Sequence, residues 1–241
     1  MCQLLGVSCN KNIDINFSLK EFRIRGKDNP HGFGFVYYEK DKNPKLIKKA
    51  LSLYSENTEQ DAYQFKSKII IGHIRLASCG NIEHKNTHPF VRNNWSFAHN
   101  GTISKIKTWQ INNFVPEGET DSEFAFCYLL DRIHDKTELK SIVAVIRSEA
   151  LKISKLGNFN FLLSDGKFLF VFGDNSLYLT KRQSPFQAVT LRHADYKVNL
   201  AEIKSPGEKA IIIATEPLTK EETWKQIKNL RVFKDGDEVV V

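Results

Sequence analysis

The sequence predicts an α+β fold in which β-sheets pack together and a pair of helices interrupts the series of strands. Three observations support this class. Short aromatic and β-branched segments recur through residues 2–99, two amphipathic helical segments follow in residues 120–153, and β-prone segments resume from Phe159. No internal repeat, low-complexity stretch or linker divides the chain, so we expect residues 1–241 to form a single domain.

The first part of the chain is predicted to consist mainly of strands, with a loop over residues 77–94. The predicted strands span residues 2–8, 33–38, 69–76 and 95–99. Within the third of these, a period of two places His73 and Arg75 on the same face of the strand. The fourth ends in Asn100-Gly101, a pair that favours a tight turn.

Weaker helical signals lie in the same part of the chain. Ser18 is a candidate N-cap for a short helix that ends near Arg25 and Gly26. Residues 46–53 and residues 58–65 show helix-like spacing of apolar side chains. The spacing therefore predicts two further short helices before the third strand.

The clearest helices come in the middle of the chain. Residues 120–123, Thr-Asp-Ser-Glu, match a capping box with Thr120 as N-cap, and the apolar run of residues 124–133 follows directly. A second helix is predicted over residues 139–153. The short link at residues 134–136 predicts an antiparallel pair that packs against a sheet.

The last part of the chain is predicted to return to β-structure. Asp165-Gly166 lies between two aromatic segments, residues 159–163 and 168–172, which indicates a hairpin. Further strands are predicted at residues 177–180, 188–191, 210–214 and 239–241, with a short helix at residues 221–227.

Net charge excludes few classes of protein. The chain carries +7 with a pI of about 9.1, yet its basic residues are spread among 28 acidic ones. The densest cluster, residues 42–49, has four lysines and is typical of a solvated face. We therefore expect attraction for anionic metabolites and no nucleic-acid partner.

The cysteines and the hydropathy pattern predict a cytoplasmic protein without a structural metal. Neither a CxxC pair nor zinc-finger spacing occurs among Cys2, Cys9, Cys79 and Cys127. His84 and His88 are four residues apart, but Pro89 makes a helical metal-binding pair improbable. No apolar run reaches the roughly 18 residues of a membrane span, and no signal peptide is recognised. We expect no metal, no cofactor and no membrane partner.

Cys2 is the first candidate for chemistry. Removal of Met1 would leave one residue that carries both a thiol and a free α-amine. An unperturbed thiol titrates near ~8.5 and an α-amine near ~7.7–8.0, so proton transfer between them costs about 1 kcal/mol. With Met1 in place that nitrogen is an amide and cannot act as a base. The alternative is that Cys2 is a small hydrophobic residue of the first strand.

Three other polar features lie at the ends of predicted elements: Arg75, Asn100-Gly101 and Asp121. Each has a structural alternative. Arg75 is then an ordinary surface cation, Asn100-Gly101 a hairpin turn, and Asp121 a first-turn acid favoured by the helix dipole.

Together these features resemble the glutaminase domain of the class II glutamine amidotransferases, which are N-terminal nucleophile hydrolases. The matching segments are Met1-Cys2, residues 72–80, Thr87-His88-Pro89-Phe90, His99-Asn100-Gly101 and Thr120-Asp121-Ser122-Glu123, and residues 214–219 with 222–224 resemble the C-terminal region of the short stand-alone, YafJ-like members. The resemblance covers nearly the whole chain, and it implies a four-layer αββα sandwich.

The resemblance also implies a reaction. Cys2 would attack the side-chain amide of glutamine, and the Asn100 side chain and the Gly101 N–H would stabilise the oxyanion. Ammonia would leave, and water would release glutamate from a γ-glutamyl thioester.

Substrate contacts are implied as well. Arg75 would bind the α-carboxylate, because its planar guanidinium matches a carboxylate in two hydrogen bonds. Asp121, kept ionised at a helix start, would bind the α-ammonium. Ser78 would add a hydroxyl contact.

Two departures from the family pattern concern the walls of this site. Leu76 and Cys79 stand where synthase-type relatives have a tryptophan and a histidine. The resemblance therefore leaves open whether Cys79 contacts the substrate. His31-Gly32-Phe33-Gly34 replaces an Asp-Gly-Trp-Gly segment of stand-alone members. His31 either faces the pocket or packs as an ordinary histidine.

The leading hypothesis is thus a cysteine-dependent amidohydrolase that releases ammonia from glutamine. Because the glutaminase domain accounts for the whole sequence, a separate subunit would accept the ammonia, or a peptidase subunit would act beside it. One alternative is hydrolysis of γ-glutamyl peptides or thiol conjugates. Another is a non-catalytic binding module that retains the fold, which retention of Met1 would favour.

Overall fold

The computed structural model describes residues 1–39, 41–56 and 63–241. Its strands are β1 (Gln3–Ile13), β2 (Phe33–Tyr38), β3 (Pro44–Lys49), β4 (Ser67–Ile74), β5 (Phe90–Arg92), β6 (Trp95–Asn100), β7 (Asn160–Ser164), β8 (Leu169–Gly173), β9 (Tyr178–Gln183), β10 (Ala188–Thr190), β11 (Lys197–Asn199), β12 (Lys209–Ala214), β13 (Lys225–Gln226), β14 (Asn229–Lys234) and β15 (Asp237–Glu238). Its α-helices are α1 (Asn16–Ile24), α2 (Asp121–Ile133), α3 (Leu139–Ile153) and α4 (Leu200–Ile203).

Two large antiparallel sheets organise the molecule. One has seven strands in the order β13-β9-β12-β1-β4-β2-β3, and the other has six in the order β15-β14-β8-β7-β6-β5. A separate pair, β10-β11, lies outside both. The first strand of the chain is therefore the central strand of the larger sheet, with β12 and β4 as its neighbours.

Both faces of β1 are buried, because side chains alternate across a strand. Leu5 and Val7 pack in an apolar cluster that includes Phe22 of α1. Leu4 packs in a different cluster, which contains Leu162 of the six-stranded sheet and lies between the two sheets. The seven-stranded sheet thus has α1 on one face and the second sheet on the other.

Helices α2 and α3 cover the outer face of the six-stranded sheet. Phe126 of α2 and Ile146 of α3 share a buried cluster with Phe97 and Phe161 of β6 and β7. The layers follow the order helix, sheet, sheet, helix, which confirms the α+β class and the predicted αββα sandwich. No helix of the described residues is long and apolar enough to cross a membrane.

The start of α2 differs from a full capping box. Thr120 Oγ1 accepts a hydrogen bond from the Glu123 N–H at 3.1 Å, as predicted. The Glu123 carboxylate, however, accepts from the N–H groups of Glu117 and Gly118 and pairs with Arg92 at 2.6 Å. Glu123 therefore orders the preceding loop instead of capping its own helix.

Two predictions in the first half of the chain are wrong. Residues 46–53 contain no helix, because β3 pairs with β2 with Phe35 opposite Ile47. Ser18 lies inside α1, whose N-cap position is Ile15. Of the helix predicted at residues 58–65, residues 58–62 lie outside the described residues, and 63–65 are not helical.

Two predictions near the C-terminus are also wrong. Residues 221–227 form no helix: Glu222 pairs with Arg182 at 2.7 Å, and β13 pairs with β9. The last strand is β15, before residues 239–241, and the prediction omitted β14. The hairpin at Asp165-Gly166 is confirmed by β7 and β8.

Candidate active site

Cys2 lies immediately before the central strand β1. Because Gln3 pairs with Ile74 in antiparallel register, the segment that follows β4 runs beside Cys2. The Leu76 N–H donates to Cys2 Sγ at 3.2 Å, and Sγ lies 3.3 Å from the Leu76 carbonyl oxygen. Burial raises the pKa of the Cys2 thiol, although the Leu76 N–H and nearby positive charges oppose this. The thiol therefore needs a base to become a nucleophile at neutral pH.

Met1 stands at the mouth of the site and is 66% exposed. The Ser176 hydroxyl contacts its Sδ at 3.9 Å, and the Gln3 side-chain amide donates to its carbonyl oxygen at 3.3 Å. While this peptide bond persists, the nitrogen of Cys2 has no basic lone pair.

Asn100 ends β6, and its side chain is 2% exposed. Its Nδ2 donates to Thr215 Oγ1 at 3.3 Å, and the same Oγ1 accepts from the Leu4 N–H at 2.9 Å. A side-chain amide has two N–H donors. One therefore orients the Asn100 amide, and the other is available to a ligand.

Gly101 is required by the close approach of two backbones. A Cβ at this position would lie 1.8 Å from the Asn158 carbonyl oxygen, and φ is +155°. Asn100-Gly101 is not a hairpin turn, since Asn100 pairs with Asn160 of β7, far along the chain. The turn interpretation of this pair is wrong.

Two buried histidines hold the segment that carries Asn100. His99 Nε2 donates to the Asn158 carbonyl oxygen at 3.1 Å. The other ring nitrogen, Nδ1, accepts from the Ser122 hydroxyl at 2.8 Å. His73 Nε2 donates to the His99 carbonyl at 3.1 Å. Burial lowers the pKa of both rings, that of His73 to about 3.

Arg75 is 2% exposed, and its guanidinium is already engaged. It donates to the carbonyl oxygens of Cys79 at 2.8 Å, Gly80 at 3.0 Å and Asn81 at 2.9 Å. The arginine therefore folds the loop that follows it. A bidentate carboxylate would replace part of these contacts.

Asp121 is the first residue of α2 and is 7% exposed. Its Oδ2 accepts from the Ile103 N–H at 2.7 Å and its Oδ1 from the Ser122 N–H at 2.9 Å. Each carboxylate oxygen has two lone pairs. Oδ2 therefore keeps one acceptor position for a ligand, while Oδ1 also lies 3.5 Å from the Ser122 hydroxyl.

The other candidates surround the segment that follows Arg75. Ser78 Oγ lies 3.3 Å from Thr102 Oγ1, and Cys79 Sγ donates to the Glu119 carbonyl at 3.5 Å. The His31 ring accepts from the Ala77 N–H through Nδ1 at 2.9 Å. His31 is not among the described residues that line the cavities beside Cys2.

Two cavities meet at Cys2. The inner cavity has a volume of 20 Å³ and is lined by Cys2, Arg75, Leu76, Ala77, Ser78, Cys79, His88, His99, Gly101, Thr120, Asp121 and Ser122. The outer cavity has a volume of 240 Å³ and is lined by Met1, Cys2, Leu76, Ala77, Ser78, Asn100, Gly101, Thr102, Asn158, Asn160, Asn175 and Ser176. The structure thus brings every predicted site residue except His31 to one or both cavities.

The outer wall of this site was not predicted from the sequence. Asn158, Asn160 and Asn175 come from the start of β7 and the loop after β8, and they carry no local motif. A larger cavity of 570 Å³ lies beside the Arg182–Glu222 ion pair and contains no predicted site residue. Among residues 1–39, 41–56 and 63–241, no group of three acidic, histidine or cysteine side chains could hold a metal ion.

The αββα sandwich, with a cysteine directly before a central strand, defines the class of N-terminal nucleophile hydrolases. A predicted glutamine amidotransferase from Pseudomonas aeruginosa superposes with a TM-score of 0.73 at 28% identity, over all of both chains. Glutamine phosphoribosylpyrophosphate amidotransferase from Bacillus subtilis gives a TM-score of 0.64 over 99% of this chain and 48% of its own. At 15% identity, that likeness concerns the fold alone.

Sequence comparison identifies the family. The profile of the class II glutamine amidotransferases matches residues 1–241. MJ1515 of Methanocaldococcus jannaschii is 39% identical over 98% of this chain and 70% of its own length, and YafJ of Escherichia coli K12, provisionally named a glutamine amidotransferase, is 35% identical over all of both. The chain belongs to the class II glutamine amidotransferases, which hydrolyse or transfer the amide of glutamine.

Proposed function

We propose that this protein is a cysteine-dependent amidohydrolase that releases ammonia from glutamine through a γ-glutamyl thioester on Cys2. The position of Cys2 carries the proposal. Its sulfur lies where the inner cavity, with Arg75 and Asp121, meets the outer cavity, with Asn100 and Gly101. A nucleophile, an oxyanion site and two opposite charges for an amino-acid head group therefore surround one point.

The proposed reaction begins when removal of Met1 frees the α-amine of Cys2. The amine takes the thiol proton, and the thiolate forms a bond to the δ-carbon of glutamine. Asn100 Nδ2–H and Gly101 N–H donate to the resulting oxyanion. As the C–N bond breaks, the ammonium returns its proton to the departing nitrogen, and ammonia leaves. Water, deprotonated by the same amine, then cleaves the thioester to give glutamate.

Hydrolysis of γ-glutamyl peptides or thiol conjugates is a second candidate, and the size of the outer cavity favours it. Its 240 Å³ is many times the ~10–15 Å³ that a cavity needs to hold one water, and ammonia is of similar size. The cavity therefore has room for a substituted amine.

We further propose that residues 1–241 act as one glutaminase domain in the cytoplasm. The ammonia acceptor would lie outside residues 1–241, which the family profile matches throughout, and a separate subunit is the proposed candidate. Copurification of an ammonia-dependent or peptidase activity with the tagged protein would test this arrangement.

Intact mass before and after treatment with diazo-oxo-norleucine, a glutamine-like electrophile, tests the mechanism. We expect the mass to lack Met1 and to gain one adduct that maps to Cys2. The Cys2→Ala variant is the control and should gain none. An adduct on Cys79 or Cys127 would contradict the assignment, and absence of turnover of glutamine and γ-glutamyl-cysteine alike would leave the binding module as the surviving hypothesis.

A further inference from the structure

We infer that the outer cavity is a subsite for the leaving amine of the substrate, and that it selects amines without a formal charge through hydrogen bonds from side-chain amides. This inference rests on the proposed function and names its substrate class: γ-glutamyl amides whose amine half carries a neutral amide or hydroxyl group.

The positions of three residues establish which cavity receives the leaving group. Arg75 and Asp121, the charges suited to an amino-acid head group, line the inner cavity and not the outer one. Met1 lines the outer cavity and not the inner one. Loss of Met1 would therefore expose the Cys2 α-amine on the outer side. Because a departing amine needs a proton donor within hydrogen-bond reach, it must leave on that side.

The lining of the outer cavity has an unusual composition for this protein. Charged residues make up 26% of the chain, yet no Asp, Glu, Lys, Arg or His is among the described residues that line this cavity. Three asparagines, two serines and a threonine supply its polar groups besides the oxyanion site, namely Asn158, Asn160, Asn175, Ser78, Ser176 and Thr102.

This lining matches an uncharged polar ligand. A side-chain amide both donates and accepts, as a peptide group does. A carboxylate on the leaving group would lose part of its hydration without gaining a cationic side chain, and an ammonium would gain no anionic one. The cavity therefore favours an amide-bearing amine over a free amino acid.

Asn160 holds this wall in place. It is 1% exposed, and its Oδ1 accepts from the N–H groups of Asp174, Asn175 and Ser176 at 3.0, 3.1 and 3.2 Å. Its Nδ2 donates to the Asn100 carbonyl at 3.2 Å and to Asn175 Oδ1 at 3.0 Å. One buried side chain thus connects the wall of the subsite to the residue of the oxyanion site.

Asn175 is the residue that a ligand would meet. It is exposed, and its Nδ2 donates to Asn158 Oδ1 at 2.7 Å, which orients its amide along the wall. One Nδ2–H of Asn175 and both Nδ2–H groups of Asn158 make no hydrogen bond to the described residues. These donors are available to the carbonyl oxygen of a leaving group.

Three substrates test the inference on the processed enzyme: glutamine, γ-glutamyl-glycinamide and γ-glutamyl-glycine. They share the γ-glutamyl half and differ only in the amine. We expect kcat/KM for the glycinamide to exceed that for the glycine compound by about tenfold, the effect of one unpaired polar or charged group. Asn175→Arg places a cation in the subsite and should reverse this preference. Gln183→Arg adds the same charge at an exposed position of β9, outside the cavity, and should leave the preference unchanged.

The outcomes separate this inference from the proposed function. Equal kcat/KM for the two dipeptide-like substrates, or a preference that Asn175→Arg does not change, would overturn the inference. Turnover of glutamine alone would also overturn it, while the proposed glutaminase activity would stand. Failure of all three substrates would overturn the proposed function and this inference with it.

Discussion

The inner and outer cavities are both lined by Cys2, and they differ in charge and in size. The inner cavity contains Arg75 and Asp121, both buried and both already hydrogen-bonded within the chain. The outer cavity is twelve times larger and free of charged side chains among the described residues. The same cysteine therefore borders a charged pocket, whose polar groups already bond within the chain, and a neutral one.

The two cavities differ in whether a ligand must replace hydrogen bonds that the chain already makes. At 20 Å³ the inner cavity has little more than the ~10–15 Å³ that a cavity needs to hold one water. An amino-acid head group would enter only as Arg75 exchanges the carbonyl oxygens of residues 79–81 for a carboxylate. The outer wall, held by Asn160, requires no such exchange. Recognition of the γ-glutamyl half and of the amine half should therefore respond to mutation in different ways.

Cys2→Ala should produce the largest effect, because it removes the atom that the two cavities share. We expect kcat for glutamine to fall by about 10⁴-fold or more, as is typical when a nucleophile is lost. The melting temperature should stay nearly the same. Cys9→Ala, a change deep in β1, is the control and should retain activity. A normal rate in Cys2→Ala would refute the mechanism.

Asn100→Ala should come second, since it removes one donor to the oxyanion. Loss of such a donor typically lowers kcat by about 10²–10³-fold. KM should change little, because the oxyanion exists only in the transition state. Thr215→Val, which removes the hydroxyl that orients the amide, should give a smaller loss of kcat. A loss confined to KM would place Asn100 in ground-state binding instead.

Arg75→Lys should have a smaller effect that is the same for every γ-glutamyl substrate. Lysine keeps the charge but lacks the planar fork, and a hydrogen bond to a charged group contributes about 1.5–3 kcal/mol. We expect kcat/KM to fall by roughly 10–100-fold for glutamine and for γ-glutamyl-glycinamide alike. If the factor depended on the amine, the division of labour between the two cavities would be wrong.

The smallest effect should come from a fall in pH, which lowers the free energy of unfolding through His88 in the lining of the inner cavity. Burial keeps the pKa of His88 well below its ordinary value, and neither ring nitrogen has a hydrogen-bond partner in the described residues. The unfolded chain therefore binds a proton below pH ~6.5 that the folded chain does not, so stability decreases as pH falls.

A matched variant isolates this contribution. One such histidine costs about 1 kcal/mol between pH 7 and pH 5.5. His88→Phe keeps an aromatic ring against Phe90 and should reduce the pH dependence of the free energy of unfolding by that amount. Urea unfolding at the two pH values measures it. An unchanged pH dependence would show that the folded protein protonates His88 as readily as the unfolded chain does.

Much of the site could be predicted from the sequence because its members lie in short motifs at element boundaries. Arg75 follows β4, Asn100 ends β6, and Asp121 begins α2 behind a threonine cap. The neutral wall could not be predicted in this way. Asn158, Asn160 and Asn175 belong to no motif, and they converge only because β7 and β8 pair beside β6.

The sequence by itself determined the features that depend on neighbours along the chain. These are the helices α2 and α3, with their apolar period and the threonine cap of α2. Only the tertiary structure decided the features that depend on distant partners. Residues 46–49 became a strand because β2 offers a pairing edge, and Arg75 became occupied because its own loop folds back onto it. Local free energies favour a helix or a cap, but long-range pairing and burial determine which surfaces remain open to a substrate.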